Sequence, residues 1–150
     1  MAPLSERKDP MLRAFPKMLI AVAVYNVLIF GGRVMGHAAD TLLKQNFPVT
    51  VFSGDVWKMS LADGLVSVAL VLLFIEIFKA TRASRREMLN HVLSTLTLLA
   101  ALAEFVAVKG FATSTFFLIT LMCLFDVAAG YTVSIVTARR DWAVAPPEAD

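Results

Sequence analysis

The chain has 150 residues, with 14 Lys and Arg, 12 Asp and Glu, 2 His and 1 Cys. Hydrophobic residues make up 58% and charged ones only 17%, with mean hydropathy +0.71. A water-soluble domain of this length would be left with large apolar patches, so the composition points to a single-domain membrane protein. It excludes a basic nucleic-acid module, and the lone Cys123 excludes a disulfide scaffold and a Cys-ligated metal or iron–sulfur centre.

Residues 1–17 read as a cytoplasmic interfacial segment. Asp9-Pro10 is a cap followed by proline at the first helical position. Met11, Leu12 and Phe15 would then rest on lipid headgroups, with Arg13 and Lys17 reaching anionic lipid. An untidy tail is the plainer alternative.

The first apolar run, Met18 to Gly32, predicts a helix over 18–34 that spans a bilayer if Lys17 and Arg33 snorkel outward. A rival reading is a signal peptide cleaved after Gly36-His37-Ala38. Tyr25 and Asn26 inside the run, and Arg33 near the cleavage position, speak against it.

The stretch Arg33–Met59 is the longest outside lipid. Val34, Met35, Ala38, Leu42 and Leu43 fall near helical spacing and predict a short amphipathic helix, which Pro48 follows. Val49–Phe52, a Ser-Gly-Asp turn and Val56–Met59 read as a small hairpin. Two strands alone are marginal, so the hairpin needs the bundle end or a partner. Trp57 would serve as an interfacial anchor.

Three more spanning helices follow, over 60–80, 85–109 and 113–140. Ser60-Leu-Ala-Asp63 and Ser84-Arg-Arg-Glu87 read as capping boxes. Gly110 is a natural stop for the third helix, and Thr113 or Ser114 can cap the fourth. Residues 141–150, with Pro146 and Pro147, read as a disordered tail. The expected fold is therefore an all-α, four-transmembrane-helix antiparallel bundle, with a short amphipathic helix and a small hairpin in the first outer loop.

Charge placement orients it. Ten of the 14 Lys and Arg fall on one side: Arg7, Lys8, Arg13 and Lys17; Lys79, Arg82, Arg85 and Arg86; Arg139 and Arg140. Arg33, Lys44, Lys58 and Lys109 fall on the other. Both termini are therefore expected in the cytoplasm.

On the third helix Asn90, Ser94, Thr97, Ala101 and Glu104 repeat on one face, and on the fourth Cys123, Asp126, Gly130, Ser134 and Thr137 do the same. Such stripes mark packing faces in lipid, which assigns Ser94, Thr97, Gly130 and Ser134 to helix packing. Cys123 would act there as a small apolar residue.

Three acids lie within the apolar runs, where a charge costs about 2.5–3.5 kcal/mol or more at the bilayer centre. Glu104 is near the outer rim and within reach of Lys109 or Lys58. Glu76 precedes Lys79 by three residues, which suits a local ion pair. By helical rise Asp126 lies about 20 Å, and Glu76 about 24 Å, from the outer ends of their helices. Asn26, Glu76, His91, Ser94 and Asp126 could therefore meet in one intramembrane polar cluster. It would be a protonatable or cation-binding site, or else a structural one in which Asp126 bonds Asn26 or Ser94 and fixes helix register.

A haem held by two transmembrane histidines is disfavoured, because His37 lies at the wrong depth to join His91. No metal motif, phosphate-cradling loop or nucleophile–base pair is legible, so no cofactor, no metal and no catalysis are expected.

The layout from about Gly36 to Arg140 resembles the phosphate-starvation-inducible PsiE-like group of small bacterial membrane proteins. Phe74-Ile-Glu-Ile-Phe-Lys79, closing the second helix, and Lys109 after the third carry the resemblance. It implies four helices, an amphipathic outer segment, basic cytoplasmic ends and a bacterial inner membrane. The Ser/Thr stripe and Glu104 of the third helix depart from that pattern, and no residue role transfers.

The expected function is that of a structural, interaction or accessory subunit in contact with membrane lipids and with another membrane protein or a second copy, not with nucleic acid. The alternative is a proton or cation transport protein or subunit using Asp126 and Glu76.

Overall fold

The computed structural model describes residues 16–80 and 85–144. In chain order these form helix α1 (Lys17–Val34), a short helix α2 (Ala39–Leu43), strands β1 (Asn46–Thr50) and β2 (Val56–Ser60), and helices α3 (Leu61–Ala80), α4 (Arg85–Ala107) and α5 (Ser114–Val144). Four of the helices, α1, α3, α4 and α5, are long and apolar enough to cross a membrane. The interfacial segment expected before Pro16, the Ser84 capping position and the tail beyond Val144 lie outside the described residues.

Local chemistry sets most of the boundaries. Ser60 Oγ accepts from the Asp63 backbone N–H at 3.1 Å, and Asp63 Oδ2 accepts from the Ser60 backbone N–H at 2.9 Å. That reciprocal pair is a capping box, and it starts α3 directly at the end of β2. Thr113 Oγ1 caps α5 by accepting from the Phe116 N–H at 3.1 Å. After α4 the chain turns at Gly110, whose φ of +87° suits glycine. A Cβ there would also come within 2.7 Å of the Arg33 guanidinium.

The expected hairpin is present, since β1 and β2 pair as a two-stranded antiparallel sheet from Asn46↔Ser60 to Thr50↔Val56, so the fold is mostly helical with a small sheet. Three expectations need correction. Pro48 lies inside β1 rather than ahead of it; with only two strands, both are edges and a missing N–H is tolerated. The amphipathic helix is only five residues long. Val34 and Met35 are exposed, and Leu43 alone of the expected apolar set is buried. Finally, α5 continues to Val144, four residues past its expected end.

Consecutive long helices run in opposite directions, yet the bundle is not a simple antiparallel ring. α5 packs on α3, α4 and α1, and α1 also packs on α3 and α4. α3 and α4 occupy opposite corners, so the most closely packed pair, α3 with α5, runs parallel.

The interior joins an apolar core, with Met18, Tyr25, Ile29, Phe111, Phe116 and Ile119 at its centre, to a set of buried polar residues: Glu76, Asn90, Ser94, Thr97, Thr115, Thr120 and Asp126. The exterior displays large apolar side chains; on α3 these include Val68, Leu70, Val71, Phe74 and Phe78. Among the described side chains of α3, Ala69, Leu73 and Glu76 are the buried ones, a stripe of spacing four then three. An apolar exterior of this extent suits hydrocarbon rather than water.

The two ends of the bundle are held differently. At the hairpin end, Tyr25, Phe111 and Phe116 are fully buried and stack within 4.6–5.5 Å of one another. Tyr25 OH also shares a 2.6 Å hydrogen bond with Thr113 Oγ1. The other end is held by lysines.

Small residues permit close approach where expected. A Cβ on Gly130 would overlap the His91 imidazole, so the notch at Gly130 seats that ring between α4 and α5. Gly130→Leu should therefore lower the melting temperature in detergent well below that of Leu118→Ala, since Leu118 is 39% exposed. The expected loss is about 3 kcal/mol against less than about 1. Thermal unfolding followed by circular dichroism measures it, and equal melting temperatures would place Gly130 away from the helix interface.

Candidate functional site: a buried polar cluster at the lysine end

Glu76 is the hub of the cluster. Its side chain is 1% exposed and projects from the last turn but one of α3. Glu76 Oε1 accepts from Asn90 Nδ2 at 2.5 Å and from Lys79 Nζ at 3.2 Å. Glu76 Oε2 accepts from both the Nζ and the backbone N–H of Lys17, each at 3.4 Å.

The backbone contact gives Glu76 a second task. Lys17 is the first residue of α1, and Pro16 before it offers no side-chain cap. The first N–H groups of a helix lack intrahelical partners and carry partial positive charge. A carboxylate from α3 fills that role, so a single side chain ties α1, α3 and α4. The local pair with Lys79 matches the sequence expectation; Lys17 and Asn90 were missed as partners. Their signals were present in the sequence: Lys17 opens the first apolar run, and Asn90 heads the third-helix stripe.

Asp126 lies on α5 one turn before Gly130, 6% exposed. It is within electrostatic reach of Glu76, Lys79 and His91, and beside Ser94. The Ser94 hydroxyl faces that carboxyl without closing a hydrogen bond. Asn90 Oδ1, Ser94 Oγ and Asp126 Oδ2 are all buried and have no hydrogen-bond partner among the described residues. His91, half-buried, contacts Ser134 Oγ through Nε2 at 3.2 Å and stacks on Tyr131 with ring centroids 6.1 Å apart.

Four of the five expected cluster residues therefore gather here: Glu76, His91, Ser94 and Asp126. Asn26 does not. Its Nδ2 donates to Glu104 Oε2 at 2.9 Å and to the Val22 carbonyl at 3.0 Å. It follows Lys17 by nine residues, about 13 Å of helical rise, which removes it from the level of Glu76. The same contact corrects Glu104, whose hydrogen-bond partner is Asn26 rather than Lys109 or Lys58.

The packing residues divide. Ser94, Thr97 and Gly130 are buried between helices, whereas Ser134 is exposed and serves His91. Thr97 Oγ1 donates back to the Leu93 carbonyl at 2.8 Å, so its polarity is satisfied within its own helix. Cys123 is 1% exposed and packs as part of the apolar core.

One open cleft at the hairpin end is lined by Trp57, Asp63, Ser67 and Thr115 among others. Its acid, Asp63, is engaged in the α3 capping box. Comparison with known proteins found no matching family model, no matching curated protein and no matching solved structure. The chemistry of the lysine-end cluster is therefore the ground for any functional reading.

Removing the hub should be costly. Glu76→Ala leaves Lys17, Lys79 and Asn90 without their shared acceptor, and the expected destabilisation is about 3 kcal/mol or more. Glu76→Gln keeps an acceptor oxygen and should lose less. Denaturation of the two variants in mild detergent measures the difference; indistinguishable stabilities for Glu76→Ala and the parent would remove Glu76 from its structural role.

Proposed function

We propose that the protein is a small integral protein of a bacterial inner membrane that acts as an interaction or accessory subunit, without catalysis of its own. The observation that carries this reading is the saturation of Glu76. An acid held by two lysines, an amide and a helix N-terminus serves to assemble helices. The lysine end is the cytoplasmic side in this reading, as the distribution of Lys and Arg argues, and both termini lie there. The resemblance to the PsiE-like group supports the same placement.

The partner is another membrane protein or a second copy of the chain. The half-buried Asn26–Glu104 pair lies within two spanning segments. Polar groups at such a position are costly against hydrocarbon and favourable against a neighbouring helix. Purified in mild detergent, the protein should run as a particle larger than its own 16.4 kDa plus the micelle, or bring a second chain with it. A monodisperse monomer with no co-purifying chain, in detergent and in nanodiscs alike, would contradict the reading.

One observation favours a second reading, proton or cation transport. Asp126 is buried with an unpartnered oxygen, a state that a carrier site would occupy between two ligands. Transport predicts that reconstituted parent protein dissipates an imposed pH or sodium gradient and that Asp126→Asn does not. Equal leak in both forms and in empty liposomes would dismiss it.

A further inference from the structure

Three buried oxygens without partners sit on facing helices. Asn90 and Ser94 stand one turn apart on one face of α4, and Asp126 faces Ser94 from α5. Asn90, Ser94 and Asp126 are 5%, 3% and 6% exposed, so water is largely excluded from all three. The orientation of the Asn90 amide is fixed, because its Nδ2 is already bound to Glu76; Oδ1 can only accept.

Donor counting then decides the charge state. With Asp126 ionised, the trio offers one donor, the Ser94 hydroxyl, to two obligate acceptors, and one of them stays unpaired. Each unpaired buried group costs about 1–3 kcal/mol, more when charged. With Asp126 carrying a proton there are two donors. Two donors are the number that a chain from Asp126 Oδ2–H to Ser94 Oγ and from Ser94 O–H to Asn90 Oδ1 needs, once the three side chains draw together from positions in which each is unpartnered. We propose that Asp126 is a proton-binding site, closed by Ser94 and Asn90 and joined through Asn90 to the Glu76–lysine hub.

The charged and titratable groups around Asp126 fit this assignment. Glu76 and Lys79 face it from α3 and His91 from α4, with Lys17 of α1 compensating Glu76. The Glu76 carboxylate is paired with both lysines, so no lysine is held by Asp126 alone. A sodium ion would find the four side-chain oxygens of Asn90, Ser94 and Asp126 within electrostatic reach of the Lys79 ammonium, whereas a proton needs a single directional acceptor.

His91 stands between Asp126 and the exposed Ser134. Asp126, Gly130 and Ser134 follow one another at single turns along α5, and the imidazole lies in the Gly130 notch between the other two. The inference goes beyond the accessory reading and holds whether or not any proton crosses the membrane.

Infrared spectroscopy of the purified protein at neutral pH tests it. The parent should show the C=O stretch of a protonated carboxylic acid, shifted on exchange into deuterium oxide. Asp126→Asn should abolish the band, Glu76→Gln should retain it, and Ser94→Ala should move its frequency by removing the acceptor. The Ser94→Ala shift stands as evidence even if Asp126→Asn does not fold. Absence of the band in the parent, a band lost in Glu104→Gln but not in Asp126→Asn, or a band erased by sodium chloride but not by choline chloride would overturn the proposal.

Discussion

A buried carboxylate must be matched, and the match at Glu76 determines how three helices meet. The side chain enters an apolar bundle at 1% exposure, where an unpaired charge would cost several kcal/mol. Its acceptor capacity is taken up by Lys79 of its own helix, Asn90 of α4 and both the side chain and the backbone of Lys17. Because Lys17 opens α1, its contact fixes where that helix begins as well as where it packs. Rotating α1, α3 or α4 about its axis would break at least one of these contacts. α5 is then placed by shape: the His91 ring of α4 needs the missing Cβ of Gly130.

The other end of the bundle relies on different physics. Tyr25, Phe111 and Phe116 interlock there, with one hydroxyl pair between Tyr25 and Thr113. Aromatic packing tolerates small displacements, whereas a charge cluster does not. The hairpin end is thus held by area and the lysine end by direction. The buried polar groups beside an apolar core, under an apolar exterior, suit helices long and apolar enough to cross a membrane, for which joining polar groups is favourable.

The four long helices were legible because their apolar runs exceed what a soluble core of this size needs, and because capping residues such as Ser60, Asp63 and Thr113 mark their ends. The third-helix stripe was legible too: Asn90, Ser94, Thr97 and Ala101 are all buried. Helix pairing was not. Nothing local says that α3 would pack beside α5 in parallel, since that order arises only when α1 inserts against both. Asn26 was expected in the cluster, yet it stands about 13 Å along α1 from the Lys17–Glu76 contact, toward the hairpin end, where it meets Glu104. The strand position of Pro48 escaped for a related reason: proline signals a break unless both strands are edges, and strand number is a tertiary fact.

The lysine-end network fastens the bundle through the coupling of α1 to α3 at Lys17 and Glu76. A double-mutant cycle on Lys17→Met and Glu76→Gln measures that coupling directly. Each single change should lower stability in detergent. The double variant should be little worse than the more damaging single one, with an interaction energy of about 1–2 kcal/mol. Strictly additive losses would show that Lys17 and Glu76 do not hold each other, and would contradict the account.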